Sequence, residues 1–323
     1  IGTQGNYSSE YLESDLEITN LVVDYDLGWG NLLSSSSWID YTHEAPLDFT
    51  FLFGVPTYTE SNRNSEVFAQ ELRFTSQFDG PMQVIAGLYY EKNELRFTSD
   101  TFWSGNPADE AAAISALFGV PSFDSFFVQD NETTQKSLFA ELSYAFSEQW
   151  KATLGARYFD YDRERLADGA GVFGPSDEQL NADEQGNNLK LGLSYSPNED
   201  TLVYAQWAEG YRLGSPQPEI RSDCFVPGTN QLNDLGFEPQ EIIEADNLEN
   251  FELGFKVALA DNRVTVNAAI YRINWDGIPV FVFEPSCGFA AVGVNAGDSK
   301  SEGIELEMQA QITQSLNFDL SAS

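Results

Sequence analysis

Hydrophobic and polar residues alternate with a period of two along much of the chain. In Leu138–Tyr161, apolar side chains occupy every second position, and small, polar or charged side chains lie between most of them. A Ser-Glu-Gln turn at 147–149 separates two halves with the same alternation. Because successive side chains of a strand point to opposite sides, this pattern predicts a β-hairpin with one apolar face and one face that carries charge.

The predicted connections between strands are alternately short and long. Short turns fall near residues 28, 79, 148, 198, 261 and 314, and long connections near 44–64, 99–130, 166–186, 214–247 and 284–292. Only the second long connection contains a helical candidate, Ala108–Leu117. In an up-and-down sheet alternate connections lie at the same end, so one rim carries tight turns and the other carries every long loop. Transmembrane β-barrels have this asymmetry.

Strand length favours the same architecture. The predicted strands Arg263–Phe283 and Val292–Ile312 are longer than the 3–10 residues that are usual in globular sheets. They suit strands that cross a bilayer at a tilt and project beyond it. No apolar run reaches the roughly 20 residues that a membrane helix needs. An ordinary sheet whose polar face meets bulk water remains the alternative.

The charged positions fall on one predicted face, opposite an apolar face that includes Leu253, Phe255 and Val257. We expect the apolar face to contact hydrocarbon and the charged face to line a hydrated lumen. The predicted lumen-facing charged residues are Glu71, Arg73, Glu141, Arg157, Lys190, Glu252, Lys256, Glu305 and Glu307.

Composition agrees with a β protein and excludes one class of partner. The chain of 323 residues contains 24 Phe, 14 Tyr and 6 Trp, which are residue types enriched in strands. Its formal net charge of −35 argues against a role that needs many phosphate contacts, so we expect no nucleic-acid partner. The acidity fits either a heavily solvated surface or an acidic vestibule that gathers cations.

Several segments resemble those of TonB-dependent outer-membrane receptors, in the same order and over most of the chain. The segments are Gln70–Ser76, Ala86–Tyr90, Phe139–Glu141, Leu154–Tyr158, Leu202–Ala205, Glu209–Arg212, Glu249–Lys256, Asn295–Gly297 and Glu302–Glu307. Each alone is a weak strand-like string, and together they match the middle of that family's barrel.

The resemblance implies an all-β fold, namely an antiparallel up-and-down transmembrane β-barrel of about 22 strands, of which this chain supplies about twelve. Residues 1–323 then form a single domain, part of the barrel, without the family's N-terminal plug and C-terminal strands. The implied location is the outer membrane of a Gram-negative bacterium, with outer-membrane lipid and, through the plug, the TonB complex as partners.

The resemblance also implies a function. The protein would bind a scarce nutrient at the outer face, most often a ferric siderophore, otherwise cobalamin or an oligosaccharide, and import it with TonB-coupled energy. A passive porin-like diffusion channel and a soluble or surface-layer domain that binds carbohydrate are the alternatives.

The sequence predicts no catalytic residue, no metal site and no cofactor. Phosphate-loop, nucleophile-elbow and metalloprotease motifs are missing from the sequence, and the sole histidine, His43, lies at a strand end. Acidic groups such as Asp183 and Glu184 lack the spacing of a calcium loop, although carboxylates could hold calcium. Cys224 and Cys287 lie in predicted loops at one rim, where a disulfide is expected in an oxidising setting. Free thiols or a soft-metal pair are the alternatives.

Ligand contact is expected from aromatic and arginine residues at the mouth that bears the long loops. Aromatic rings supply contact area, and arginine could pair with an anionic iron chelate. These residues could instead pack loops together or anchor in lipid headgroups. The candidates are Trp103, Phe123, Phe126, Phe127, Tyr211, Arg212, Arg221 and Trp275.

Overall fold

A computed structural model describes residues 8–50, 55–106, 109–110, 113, 124–171, 176–217, 241–284 and 290–323. The strands are β1 (Glu13–Asp26), β2 (Gly30–Asp48), β3 (Thr57–Ser76), β4 (Met82–Trp103), β5 (Ser125–Ala145), β6 (Trp150–Ala170), β7 (Ser176–Asn198), β8 (Thr201–Arg212), β9 (Ser215–Pro216), β10 (Ile242–Ile243), β11 (Asp246–Leu259), β12 (Val264–Glu284), β13 (Ala290–Thr313) and β14 (Leu316–Ala322). Twelve of them form one sheet in chain order, and β9 and β10 form a separate two-stranded sheet.

Every neighbouring pair in the large sheet is antiparallel, which confirms the predicted up-and-down topology. The six tight turns lie where the sequence predicts them, and the largest connections lie at the opposite end of the sheet. Among the described residues, no helix is long and apolar enough to span a membrane. Asp109, Glu110 and Ala113 are helical, and the rest of the predicted helix lies outside the described residues.

The strands extend further into the predicted loops than the sequence pattern indicates. Strand β2 continues to Asp48 and β3 begins at Thr57, so most of the predicted connection 44–64 is paired sheet. Strand β7 begins at Ser176, within the acidic segment expected to be a loop. Backbone hydrogen bonds hold these extensions irrespective of side-chain type, and where both faces carry polar side chains the alternation that marks a strand disappears.

The strand register aligns the apolar residues into continuous rows on one face, called here the apolar face. Ala205 of β8 lies opposite Leu253 of β11, Leu253 opposite Ile270 of β12, and Ile270 opposite Ile304 of β13. These side chains are not covered: Leu253 is 49% exposed and Ile304 67%. A broad surface of exposed Leu, Ile, Val and Phe is unusual for a protein surrounded by water and fits contact with lipid.

The opposite face, called here the polar face, carries the predicted charged rows. Glu252 lies opposite Gln206 and Tyr271, and Glu141 lies opposite Gly155, which in turn lies opposite Lys190. Since Gly155 has no side chain, Lys190 Nζ reaches across it to Glu141 Oε2 at 2.9 Å. The predicted separation of charged and apolar residues is therefore present in the strand register.

Aromatic rings on the polar face lie over glycines of the neighbouring strand. A Cβ added to any of four glycines would come within 2.5 Å of the aromatic side chain of its register partner. The pairs are Gly87 with Phe139, Gly186 with Phe159, Gly254 with Tyr204, and Gly303 with Tyr271. Because glycine has no side chain, these large rings lie flat against the sheet and cover the backbone of the neighbouring strand.

We predict that Gly254→Val destabilises the barrel. The added side chain would displace the Tyr204 ring, whose hydroxyl donates a 2.5 Å hydrogen bond to Glu252 Oε1. Overpacking of this kind costs about 1–3 kcal/mol, which would lower the temperature at which the full-length protein loses its folded mobility on a gel. Gly80→Ala is the control, because a Cβ there meets nothing within 4 Å. Equal melting temperatures for the two variants would contradict the packing role.

Candidate ligand-binding face

The connection between β8 and β11 folds across the polar face. Residues 213–217 and 241–245, which include β9 and β10, form what we call the strap. The Gly214 amide donates to the Tyr161 hydroxyl at 2.7 Å, and Arg163 Nη1 donates to the Gly214 carbonyl at 3.0 Å. Both partners lie on β6, so the first part of the strap is fixed to the middle of the sheet.

Tyr161 joins the two parts of the strap. It is 1% exposed, and its hydroxyl donates to Glu184 Oε2 at 2.8 Å. The same carboxylate oxygen accepts the Ala245 amide of the second part at 3.0 Å. The Tyr161 hydroxyl thus accepts from the first part of the strap and donates to the carboxylate that holds the second part.

The second anchor of the strap lies on β13. Asn295 accepts the Glu244 amide at 2.8 Å and donates to the Glu244 carbonyl at 3.0 Å. It also donates to the Gly277 carbonyl at 2.7 Å, and the Gly293 amide donates to the Gln217 side chain. The strap is thus bound to β6, β7 and β13.

The predicted candidates Arg212 and Trp275 lie together beside the strap. Arg212 Nε donates to Asp246 Oδ2 at 2.8 Å, and Asp246 is 2% exposed. The guanidinium carbon lies 4.5 Å from the centre of the Trp275 ring, which is a cation–π contact. The buried carboxylate fixes the arginine, while the arginine side chain itself remains more than half exposed.

Tyr211 belongs to a second aromatic group, around Arg157. Its ring stacks on Phe159 with centroids 3.6 Å apart and planes at 7°, and its hydroxyl accepts a hydrogen bond from Gln135. The Arg157 guanidinium lies 5.6 Å from the Tyr89 ring centre. Arg157 has no carboxylate in salt-bridge distance among the described residues, and its Nη2 donates to Ser137 Oγ at 2.9 Å. The polar face therefore offers a cation and several rings in one place.

The remaining candidates do not join these groups. Phe127 packs against Phe97, with Arg63 5.8 Å from the Phe97 ring centre. Trp103 donates from Nε1 to the Asn106 carbonyl at 3.1 Å. Phe126 is adjacent to Phe127 in a strand, so it points to the other face, and it is 42% exposed. Phe123 and Arg221 lie outside the described residues.

The predicted charged rows contain few close ion pairs. Arg73 Nη1 lies 3.3 Å from Glu71 Oε1, and Lys190 pairs with Glu141. Glu305 and Glu307 on β13 lie opposite Ala269 and Asn267 on β12. Lys256 on β11 lies opposite the same Asn267, from the other side. Charges that remain separate on this face are available to water or to a ligand.

Three further expectations have different outcomes. Cys224 and Cys287 lie outside the described residues, so their disulfide stays a prediction. Asp183 and Glu184 are adjacent in β7 and hence point to opposite faces, so they do not converge on one cation. The Nδ1 atom of His43 lies 2.8 Å from Ser14 Oγ on an exposed part of the sheet.

Sequence reasoning missed the residues that hold the strap. Tyr161, Arg163, Glu184 and Asn295 lie on three strands, and no local spacing connects them. The available signal was a tyrosine that follows the apolar run of β6 and precedes two arginines in an acidic chain. That signal does not name the partner loop.

We predict that Tyr161→Phe loosens the strap without unfolding the sheet. The Gly214 amide and Glu184 each lose a partner, and leaving buried polar groups unpaired costs about 1–3 kcal/mol. Hydrogen exchange of residues 213–217 and 241–245 in the full-length protein should therefore accelerate by roughly tenfold to a hundredfold. Tyr158→Phe is the matched control. Tyr158 lies on the opposite face of β6, and its hydroxyl donates to Gln185 of β7, away from the strap. Unchanged exchange in the Tyr161 variant would contradict the anchoring role.

Comparison with known proteins gives one consistent relationship. A curated relative, the probable TonB-dependent receptor BfrD of Bordetella pertussis, is 26% identical over 178 residues, covering 55% of this chain and 22% of that protein. The probable TonB-dependent siderophore receptor PiuA of Acinetobacter baumannii is 22% identical over 234 residues, covering 72% and 28%. The chain thus spans less than a third of the length of these relatives.

Solved structures show the same fold. The ferric yersiniabactin uptake receptor FyuA of Yersinia pestis superimposes with a TM-score of 0.75 at 16% identity, over 99% of this chain and 43% of that one. The siderophore receptor PiuA of Acinetobacter baumannii gives 0.67 at 16% identity, over 97% and 47%.

The family model described as "TonB dependent receptor-like, beta-barrel" matches residues 1–323. Barrels of this family reside in the outer membrane of Gram-negative bacteria, where the apolar face meets lipid and the polar face lines the interior. The chain therefore belongs to the TonB-dependent receptor β-barrel family.

Proposed function

We propose that the protein is an outer-membrane receptor that binds a ferric siderophore at its outer face and imports it with energy from the TonB complex. Membership of the family supports TonB-dependent nutrient import. The siderophore is the finer part of the proposal, and the plug that would couple the barrel to TonB is expected in the rest of the protein.

The observation that carries the choice of ligand is the pairing of arginines with aromatic rings on the polar face. Arg212 lies over Trp275, and Arg157 lies over Tyr89 near the Phe159–Tyr211 stack. Guanidinium groups pair with anionic oxygens and stack on flat rings, so this surface suits an anionic, partly aromatic iron chelate. The similar proteins FyuA, a ferric yersiniabactin uptake receptor, and PiuA, a siderophore receptor, support the same choice.

Arg157 is the more informative of the two arginines. The charge of Arg212 is already balanced by buried Asp246. No carboxylate of the described residues lies within salt-bridge distance of Arg157, so an anionic ligand would gain more from it. Uptake of cobalamin or an oligosaccharide, and passive diffusion, are alternatives that the experiment separates.

We predict that a strain lacking the gene takes up less radioactive iron from at least one ferric siderophore under iron limitation. The full-length gene should restore uptake, and restoration should fail when TonB is absent. Arg157→Gln should reduce the restored uptake about tenfold at limiting ligand, because a charge-assisted contact contributes about 1.5–3 kcal/mol.

Each alternative has its own result. Uptake that persists without TonB would favour a diffusion channel. Growth that depends on the gene only with cobalamin or an oligosaccharide as the nutrient would replace the siderophore.

A further inference from the structure

Strand β7 has a neighbouring strand on only one side over more than half of its length. It pairs with β6 from Ser176 to Tyr195, but its ladder with β8 begins only at Lys190. Strand β12 likewise continues beyond Asp276, where its ladder with β11 ends. Two adjacent strands of the sheet, β8 and β11, therefore end while the strands that flank them continue toward the rim that bears the long loops.

The backbone of β7 consequently has a free edge, which we define as the side between Asp177 and Leu189 that faces away from β6. The Leu189 amide points to this side, where it donates to Glu209 Oε2 at 2.8 Å. Backbone groups of successive residues alternate between the two sides of a strand, so those of every second residue before Leu189 also face the free edge. Within the described part of the chain, no backbone hydrogen bond reaches them from this side. These residues are Asp177, Gln179, Asn181, Asp183, Gln185 and Asn187.

The free edge has the properties of a strand that can be extended by another chain. From Asp177 to Leu189 it contains neither proline nor lysine, which commonly protect edge strands, and its register with β6 has no bulge. The Glu209 carboxylate accepts from the Leu189 amide, so the first group of the edge already binds an acceptor other than a ladder carbonyl. Extended peptides bind to such edges by adding a strand to the sheet.

The side chains beside the free edge favour a basic partner. On the side of the sheet that carries the apolar face, and beyond its apolar residues, β6 and β7 present six acids and no lysine or arginine. Two register pairs join acids directly, Asp162 with Asp183 and Asp168 with Asp177, and like charges in that position repel each other. An added strand with basic side chains on this side would place them opposite Asp177 and Asp183. The six acids are Asp160, Asp162, Glu164, Asp168, Asp177 and Asp183.

The chain's own connection does not complement this charge. The segment 218–240, which joins the two parts of the strap, carries four acids and a single arginine in its sequence. The strap itself is held on the polar face by Tyr161 and Asn295. A partner from outside the chain is therefore favoured, and the rim that bears the long loops is the extracellular end of such barrels.

We propose that the free edge of β7 binds an extended, basic segment of another protein by strand addition. The segment runs antiparallel to β7, as neighbouring strands do throughout this sheet. Its backbone pairs with the free edge, and every second side chain, a lysine or an arginine, lies beside the acids of β6 and β7. The partner reaches the receptor from outside the cell, and its binding does not depend on which nutrient the receptor imports.

Fluorescence anisotropy with the purified full-length receptor tests the backbone pairing. The probe is a labelled peptide of about ten residues in which lysine and threonine alternate. Two derivatives carry backbone N-methyl groups, either on every lysine or on every threonine. In the antiparallel arrangement the lysine amides face β7 and the threonine amides face away from it. Methylation of the lysines should therefore weaken binding about tenfold or more, and methylation of the threonines should leave it nearly unchanged.

Three results would overturn strand addition. The two methylated peptides could bind equally, which would indicate attraction by charge alone, or they could bind in the reverse order. A peptide that does not bind the unaltered receptor would show that the edge is closed in the complete protein. The proposal on nutrient uptake would stand in each case, because it rests on other residues.

Receptor variants test the charge and the edge separately. Asp177→Asn combined with Asp183→Asn should weaken binding of the unmethylated peptide about tenfold, because the added lysines lose both acids that they face. Asn181→Pro should also weaken binding, since proline removes an amide that faces the free edge and that the ladder with β6 does not use. The matched control is Asp40→Asn combined with Glu66→Gln. These acids are register partners on the same side of the sheet, but they lie on β2 and β3, beyond the screening distance from β7.

The control should bind the peptide as the unaltered receptor does. Unchanged affinity in the variant that lacks Asp177 and Asp183, or an equal loss in the control, would overturn the docking surface on β7. The charge variant keeps this test decisive if the proline variant does not fold.

Discussion

The constraint on which this structure depends is that each strand must satisfy its backbone hydrogen bonds with its sequence neighbours while one face stays apolar. In hydrocarbon there is no water to pair with a free amide or carbonyl, so a spanning sheet must be fully laddered. Eleven antiparallel ladders join the twelve strands in chain order. Because side chains alternate with period two, the same ladders that pair the backbone also align Leu253 with Ile270 and Glu252 with Tyr271.

The polar face is regular over most of the sheet and irregular at the places where a ligand could bind. Rings lie over glycines where the sheet is regular, as with Tyr204 over Gly254. Where β7 and β8 separate, the regular pattern ends close to Arg157, whose Nη2 donates to Ser137 Oγ and whose guanidinium lies over the Tyr89 ring. The strap lies across β6, β7 and β13 and is held by buried Tyr161. A sheet that is otherwise uniform thus gains two distinct environments, an arginine–tryptophan surface beside the strap and an arginine–tyrosine group near the place where β7 and β8 separate.

The sequence predicted those features that have a periodic signal. The alternation in Leu138–Tyr161 predicted the hairpin, its turn and its two faces, because one face of this segment is apolar from Leu138 to Tyr158 on both sides of the turn. The same reasoning failed in 44–64 and 166–186, where both faces are polar and the strands continue by backbone pairing alone. The pattern of hydrophobic residues therefore cannot predict how far a strand continues beyond its apolar part.

Contacts between residues far apart in the sequence were harder to predict. Arg212 and Trp275 were both named as ligand candidates from residue type and position, but nothing in the sequence placed one over the other. Asp246, which fixes Arg212, was not among the candidate site residues named from the sequence. Tyr161 on β6 and Asn295 on β13 anchor the strap. Their positions relative to it depend on the pairing of all the strands between them, which no local pattern in the sequence specifies.

The orientation of the two faces is tested most directly by spin labels on β11 in the full-length protein reconstituted into liposomes. Labels would replace Leu253, Phe255 and Glu252 one at a time, and relaxation by oxygen, which concentrates in lipid, would be compared with relaxation by a water-soluble nickel chelate. The account predicts strong relaxation by oxygen at positions 253 and 255 and weak relaxation by oxygen at 252. Labels at 253 and 255 that neither reagent reaches, with position 252 exposed to oxygen, would contradict it.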